Sequence, residues 1–246
     1  MSDVRDTRVR PGLDDKILTS WNGLMLGAIA RASAVLGDDS YLEAAEKNLS
    51  FLRKNMWDTE NKRLYHRWRD GARDDAQIFD THAYLLSGIV ELYGVTLKTE
   101  YLEFAMQIAD RMIDGFYDDK AGGFYQSTGA KDLIIRLKED YDGAEPSGNS
   151  VAVLALLKLA AITGKESYRE VADKSLSYFS GRMKSMALAV PYMLSAADFA
   201  SREPNRVVIA GSASLPKAKE LIRAVHSVYQ PHKVILGTNG PIEEFA

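Results

Sequence analysis

At 246 residues, 46% of them hydrophobic and 26% charged, the chain has the make-up of an ordinary soluble protein, with room for one large domain or a domain and a small appendage. A net charge of −3 offers no basic stripe for nucleic acid, and no apolar run is long enough to span a bilayer. The lack of cysteine excludes disulfides, thiolate metal sites and thiol chemistry, and residues 1–10 hold no signal-peptide core, so the expected compartment is the cytoplasm.

An acidic stretch, Asp14-Asp15-Lys16-Ile17-Leu18-Thr19-Ser20, leads into an apolar run over 21–36 that predicts the first helix. A polar turn over 37–40 precedes Tyr41-Leu42-Glu43-Ala44-Ala45, the start of a second helix with an apolar stripe through Leu42, Ala45, Leu49 and Leu52. The order then repeats. Phe79-Asp80-Thr81-His82-Ala83-Tyr84 opens an apolar helix through 95, and Tyr101-Leu102-Glu103-Phe104-Ala105 opens its amphipathic partner. Asp142-Gly143-Ala144-Glu145-Pro146-Ser147-Gly148-Asn149-Ser150 opens a third apolar helix over 151–162, and Tyr168-Arg169-Glu170-Val171-Ala172 its partner. A recurrence at roughly sixty residues marks a repeat of one supersecondary unit: helix, tight turn, helix and an irregular return.

Helices apolar on every face are buried, so the first member of each pair predicts an inner ring and the second an outer, amphipathic one. The expected fold is mainly α, a partial (α/α) toroid with acidic helix starts gathered at one end. Alternating stretches over 63–68, and over 123–126 with 133–137, predict short β-hairpins on its rim. One further helix is expected after 187, to about 201. Beyond it, Arg206-Val207-Val208-Ile209-Ala210-Gly211, a helix over 215–229 and Lys233-Val234-Ile235-Leu236-Gly237 read as β-α-β with parallel strands. The expected division is a toroid over 1–203 and a small β-α-β element over 204–246.

The motifs over 14–25 and 142–150 resemble the thioredoxin-domain-containing, spermatogenesis-associated protein 20 (DUF255) family, and the resemblance runs from about Arg10 onward. It implies a six-hairpin (α/α) toroid similar to N-acylglucosamine 2-epimerases and six-hairpin glycosidases. This chain departs from the family's pattern in having no thioredoxin-like part. It has about seven long helices where a closed toroid needs twelve, so it reads as a C-terminal portion or a split-gene product. Thr81 and His82 stand where the family usually carries a second acid and a tyrosine.

Asp14 and Asp15 either serve at the toroid mouth, Asp15 as acid or base and Asp14 on sugar hydroxyls, or cap the first inner helix. Asp80 and His82 form a carboxylate–imidazole pair able to move a proton near neutral pH, or a hydrogen-bonded structural pair. Glu145 is the candidate acid or base of the third entrance, with Asp142, Ser147 and Asn149 as hydroxyl-binding groups; the alternative is an elaborate cap. Trp21, Asn22 and Trp68 are further substrate contacts, Trp21 otherwise reading as core and Trp68 as the better stacking platform, with Tyr65, Tyr84 and Tyr125 behind it. Arg136 and Lys138 either meet an anionic sugar or are solvated strand-edge charges.

No cofactor and no metal are expected. The four histidines show no paired ligand spacing, and Gly211-Ser212-Ala213-Ser214 does not follow the Gly-x-Gly-x-x-Gly pattern. Two functions remain open: a carbohydrate-active toroid, sugar epimerase or glycosidase, and a non-catalytic assembly module. The expected partners are a small sugar and either a second copy of the chain or a separate N-terminal half.

Overall fold

The computed structural model describes residues 2–129, 135–211 and 215–238. A short helix α1 (Ser2–Asp6) precedes strand β1 (Ile17–Leu18), which runs into helix α2 (Thr19–Leu36). Helix α3 (Asp39–Asn55) folds back from it, and four short strands follow: β2 (Trp57–Asp58), β3 (Arg63–Leu64), β4 (Arg67–Arg69) and β5 (Ala72–Arg73). Two more helical hairpins are α4 (Phe79–Thr96) with α5 (Thr99–Phe116), and α6 (Gly148–Thr163) with α7 (Glu166–Ser185). Helix α8 (Pro191–Ala200) then leads to β6 (Asn205–Ala210), α9 (Pro216–Ser227) and β7 (Lys233–Thr238).

The hairpins turn tightly because α2, α4 and α6 each end in the left-handed region, at Gly37 (φ 72°), Leu97 (φ 54°) and Gly164 (φ 69°). Leu97 adopts it without the freedom of glycine. It is buried, and its side chain packs where any side chain at Gly237 of β7 would stand.

Inner helices α2, α4, α6 and α8 stand side by side in that order, and α3, α5 and α7 pack outside them. The mainly helical partial toroid read from the sequence is thus present. Helices α4 and α6 are buried almost all round, as their unbroken apolar composition requires. Among the described residues, α4 is the inner helix on which α2 packs. The outer stripe of α2 lies open, with Trp21, Met25, Val35 and Leu36 all more than half exposed. α2 and α4 touch backbone to backbone: a Cβ on Gly88 would stand 2.3 Å from the Gly23 carbonyl oxygen, and one on Gly23 would stand 2.6 Å from the Leu85 amide.

The rim differs in detail from the expected hairpins. β1, β4 and β5 form one antiparallel sheet and β2 with β3 a second, so the stretch 63–68 is shared between two sheets. The stretch over 123–126 makes a single bridge, Tyr117 with Phe124, Ser127 just beyond it bridges Ile78, and the Gln126 amide donates to the Leu137 carbonyl (2.9 Å). Leu133 and Ile134 of the expected partner strand lie outside the described residues, as do Ser212–Ser214 of the strand–helix turn. β6 and β7 pair in parallel from Asn205 with Lys233 to Ala210 with Thr238. β7 packs on α4 and α6 and α9 on α2, so this unit covers the C-terminal ends of the inner helices. No described helix is long and apolar enough to cross a membrane.

Candidate active site

Asp80 lies in the first turn of α4, whose cap Ile78 supplies no side-chain acceptor. The carboxyl is packed against the start of α6, where a Cβ on Gly148 would stand 2.0 Å from Asp80 Oδ1. Only a glycine leaves room for it. Burial first, and then the carboxylates of Glu139 and Glu145, raise the Asp80 pKa to about 6 against the opposing pull of Gln126 and the Gly148 amide. Oδ1 is buried with no hydrogen-bond partner among the described residues, so neither opposing group makes a bond of normal geometry to it. A carboxyl of this kind keeps its proton up to about pH 6, some two pH units above an ordinary aspartic acid.

Glu139 and Glu145 come from the return between α5 and α6, and the polar residues around them fix that return in place. Asn149, fully buried, accepts from the Phe124 amide (2.8 Å) and donates to the carbonyls of Phe124 (3.0 Å) and Glu139 (2.9 Å). Gln126 donates to Glu139 Oε2 at 2.9 Å. Asp142 accepts from the Ser147 amide (2.9 Å) and, through its other oxygen, from the amides of Tyr192 (2.7 Å) and Met193 (3.3 Å). It thereby caps α8 and ties it to α6. Ser147 caps α6, accepting from the Ser150 amide at 3.1 Å. Tyr84, one turn beyond Asp80, donates to the Pro146 carbonyl at 2.6 Å, and burial together with the nearby carboxylates, Asp80 foremost, pushes its pKa well above the usual phenol value. Asp142, Ser147 and Asn149 are accordingly positioning residues, with their polar groups engaged inside the protein rather than offered to a sugar.

Several other expectations are corrected. His82 does not share a proton with Asp80: it is fully buried, its ring 5.0 Å from Phe116, with Nδ1 on the Ile78 carbonyl (3.1 Å). Burial drives its pKa down to about 4, so it is neutral at physiological pH. Asp14 and Asp15 neither cap α2, whose cap is Leu18 without a side-chain bond, nor reach the cluster. They pair at the surface with Lys16 (3.1 Å) and Arg69 (2.8 Å). Asn22 donates to the Leu18 carbonyl of its own helix (2.9 Å). Trp21 is not core but 61% exposed on the open stripe, because α2 is the end of the row. Trp68 is half-buried edge-on to Phe51, with centroids 5.8 Å apart. The ring faces of Tyr65 and Tyr125 carry Arg73 (4.2 Å) and Arg136 (3.9 Å). Lys138 is no solvated charge: it is nearly buried against Asp118 at 2.8 Å.

The sequence reading missed Glu139 and Gln126. Glu139 falls in the same return as Glu145, but its link to Asp80 exists only once Asn149 holds that return down.

A model of glycosyl hydrolase family 47 matches residues 62–214. Over 252 aligned residues the chain is 33% identical to spermatogenesis-associated protein 20 of Homo sapiens and 31% to that of Mus musculus. The alignments cover 98% of this chain and 32% of each relative. The chain thus spans about a third of the length of these curated relatives. Among solved structures it is similar to cellobiose 2-epimerase from Spirochaeta thermophila (20% identity, TM-score 0.55, 67% of this chain and 43% of that one). It is also similar to a glycoside hydrolase family 76 mannosidase from Bacteroides thetaiotaomicron (16% identity, TM-score 0.56, 74% of this chain and 50% of that one). These likenesses establish the (α/α) toroid fold.

Proposed function

The chain belongs to the family described as glycosyl hydrolase family 47 and is kin over nearly its whole length to spermatogenesis-associated protein 20; from that premise we propose that it hydrolyses a glycosidic bond, with Asp80 as the proton donor. The observation that carries the reading is the Asp80 carboxyl, protonated up to about pH 6, with a buried unpartnered oxygen beside two further carboxylates. Asp80 gives its proton to the glycosidic oxygen, and the bond from that oxygen to the anomeric carbon breaks. Glu145 or Glu139 takes a proton from the water that attacks that carbon. Three carboxyls gather here while His82 is sealed in the core, which favours hydrolysis over epimerisation. The family 76 neighbour is a mannosidase, so mannosides are the first substrates to try.

Asp80→Asn should lower kcat by about 10²-fold or more, the usual worth of a general acid, with KM nearly unchanged. In the parent, kcat/KM should fall as pH rises through about 6, as Asp80 of the free protein loses its proton. Full turnover by Asp80→Asn sinks the assignment.

The open stripe on α2 favours a second reading, an assembly module in which that face packs on a second copy of the chain. Light scattering should then give a dimer that Met25→Glu dissociates; a monomeric parent at high concentration removes this reading.

A further inference from the structure

The carboxylate cluster occupies the N-terminal ends of the inner helices, whereas a cavity of about 530 Å³ opens toward their C-terminal ends, beneath the α9–β7 connection. Along α4, Glu91 in this cavity is about 16 Å from Asp80 at a rise of about 1.5 Å per residue, so the two are separate places. The cavity is within the size range of small-molecule sites.

Three inner helices each send one charge to its wall. Lys158 Nζ of α6 lies 2.7 Å from Glu91 Oε1, and Arg31 Nη2 of α2 lies 2.8 Å from Oε2. Burial alone would raise the Glu91 pKa, but Lys158 and then Arg31 outweigh it and hold the group ionised, at about 2. Both oxygens of one carboxylate are therefore occupied by two cations, which leaves one positive charge unanswered. The other charged residues of the lining, Lys233 and Asp198, offset one another and leave the surplus at one. Lys233 donates to the carbonyls of Val225 and Val228, and Asp198 faces His232 at 3.0 Å. His226 sits on the Gly94 carbonyl, its pKa lowered by burial. Among the lining residues, Val90, Leu154, Ile162 and Ile235 are apolar.

We propose that this cavity binds a small monocarboxylate with a mainly apolar body, its carboxylate on Lys158 and Arg31. One surplus charge suits a monoanion. A guanidinium and an ammonium side by side suit its two oxygens, and the apolar wall suits the rest of the molecule. A phosphate dianion would leave a second negative charge beside Glu91 uncompensated.

The test is calorimetric titration of the 246-residue chain with benzoate, its neutral isostere benzamide and inorganic phosphate. Benzoate should bind at least tenfold more tightly than benzamide or phosphate. Lys158→Met and Arg31→Gln should each weaken benzoate at least tenfold. Glu91→Gln, which leaves both cations unanswered, should tighten it; a purely structural clamp predicts no such gain. Should Glu91→Gln fail to fold by circular dichroism, Arg31→Gln carries the test, since its side chain is already more than half exposed. No benzoate binding at millimolar concentration, equal binding of benzamide, stronger binding of phosphate, or benzoate binding unchanged in Lys158→Met or in Arg31→Gln overturns the proposal.

Discussion

Asp80 has the same carboxyl as Asp14, Asp15 and Asp142, and its surroundings alone set it apart. Its pKa is raised from 3.8 to about 6, so the folded state binds the proton more tightly than the unfolded chain does. The stability this gives is fully present below about pH 4 and is lost as pH rises through about 6. Asp80→Asn should therefore raise the unfolding free energy by about 1–3 kcal/mol at pH 7.5 and change it little at pH 3.5. Thermal melts at both pH values check this, and an equal gain at both would mean that charge burial is not the cause. Asn149→Ala should cost about 2–4 kcal/mol, because it strips hydrogen bonds from both buried backbone groups of Phe124 and from the Glu139 carbonyl. It should also let Glu139 move off, bringing the Asp80 pKa down in an NMR titration. That second readout separates positioning from mere stability. Before folding, Asn149 and Asp80 are simply polar residues near helix starts, and no local pattern distinguishes a clamp from a proton donor.

At the scale of elements, the alternation of apolar and amphipathic helices is legible because burial demands composition: α6 has no polar face to give to water. Which inner helix stands at the end of the row is not legible. α2 and α4 are similarly apolar, yet α4 has neighbours on two sides and α2 on one. Their crossing rests on glycines, which sequence reading passes over as ordinary helix residues. Gly88→Ala would drive a methyl into the Gly23 carbonyl and should destabilise the chain by about 3 kcal/mol or more in urea unfolding. A loss under about 1 kcal/mol would mean that the two helices can slide apart at little cost.

For the molecule as a whole, the Arg31–Glu91–Lys158 triad ties together three helices that are far apart in sequence. The Glu91 pKa is lowered from 4.5 to about 2, so its contribution is present above pH 4.5 and is lost as pH falls toward 2. Urea unfolding should lose about 3 kcal/mol over that interval from this group. Lys158→Met should lose less, because the depression is partly gone; parallel losses in parent and variant would place the acid sensitivity elsewhere. The triad links the repeats at one end of the inner helices, and the Asp80 cluster links them at the other.

The sequence by itself determined the repeat, the inner and outer helices and the parallel β-α-β order, because each follows from local periodicity and composition. Only the tertiary structure decided which acid keeps its proton. The Asp80 proton is set by burial against Gly148 and by two carboxylates more than fifty residues away in the chain. Distance through space, not along the chain, governs a Coulomb interaction and its dielectric. The same reason turned His82 from a proton carrier into core, Asp142 and Asn149 from ligand contacts into fixings, and Trp21 from core into an exposed edge.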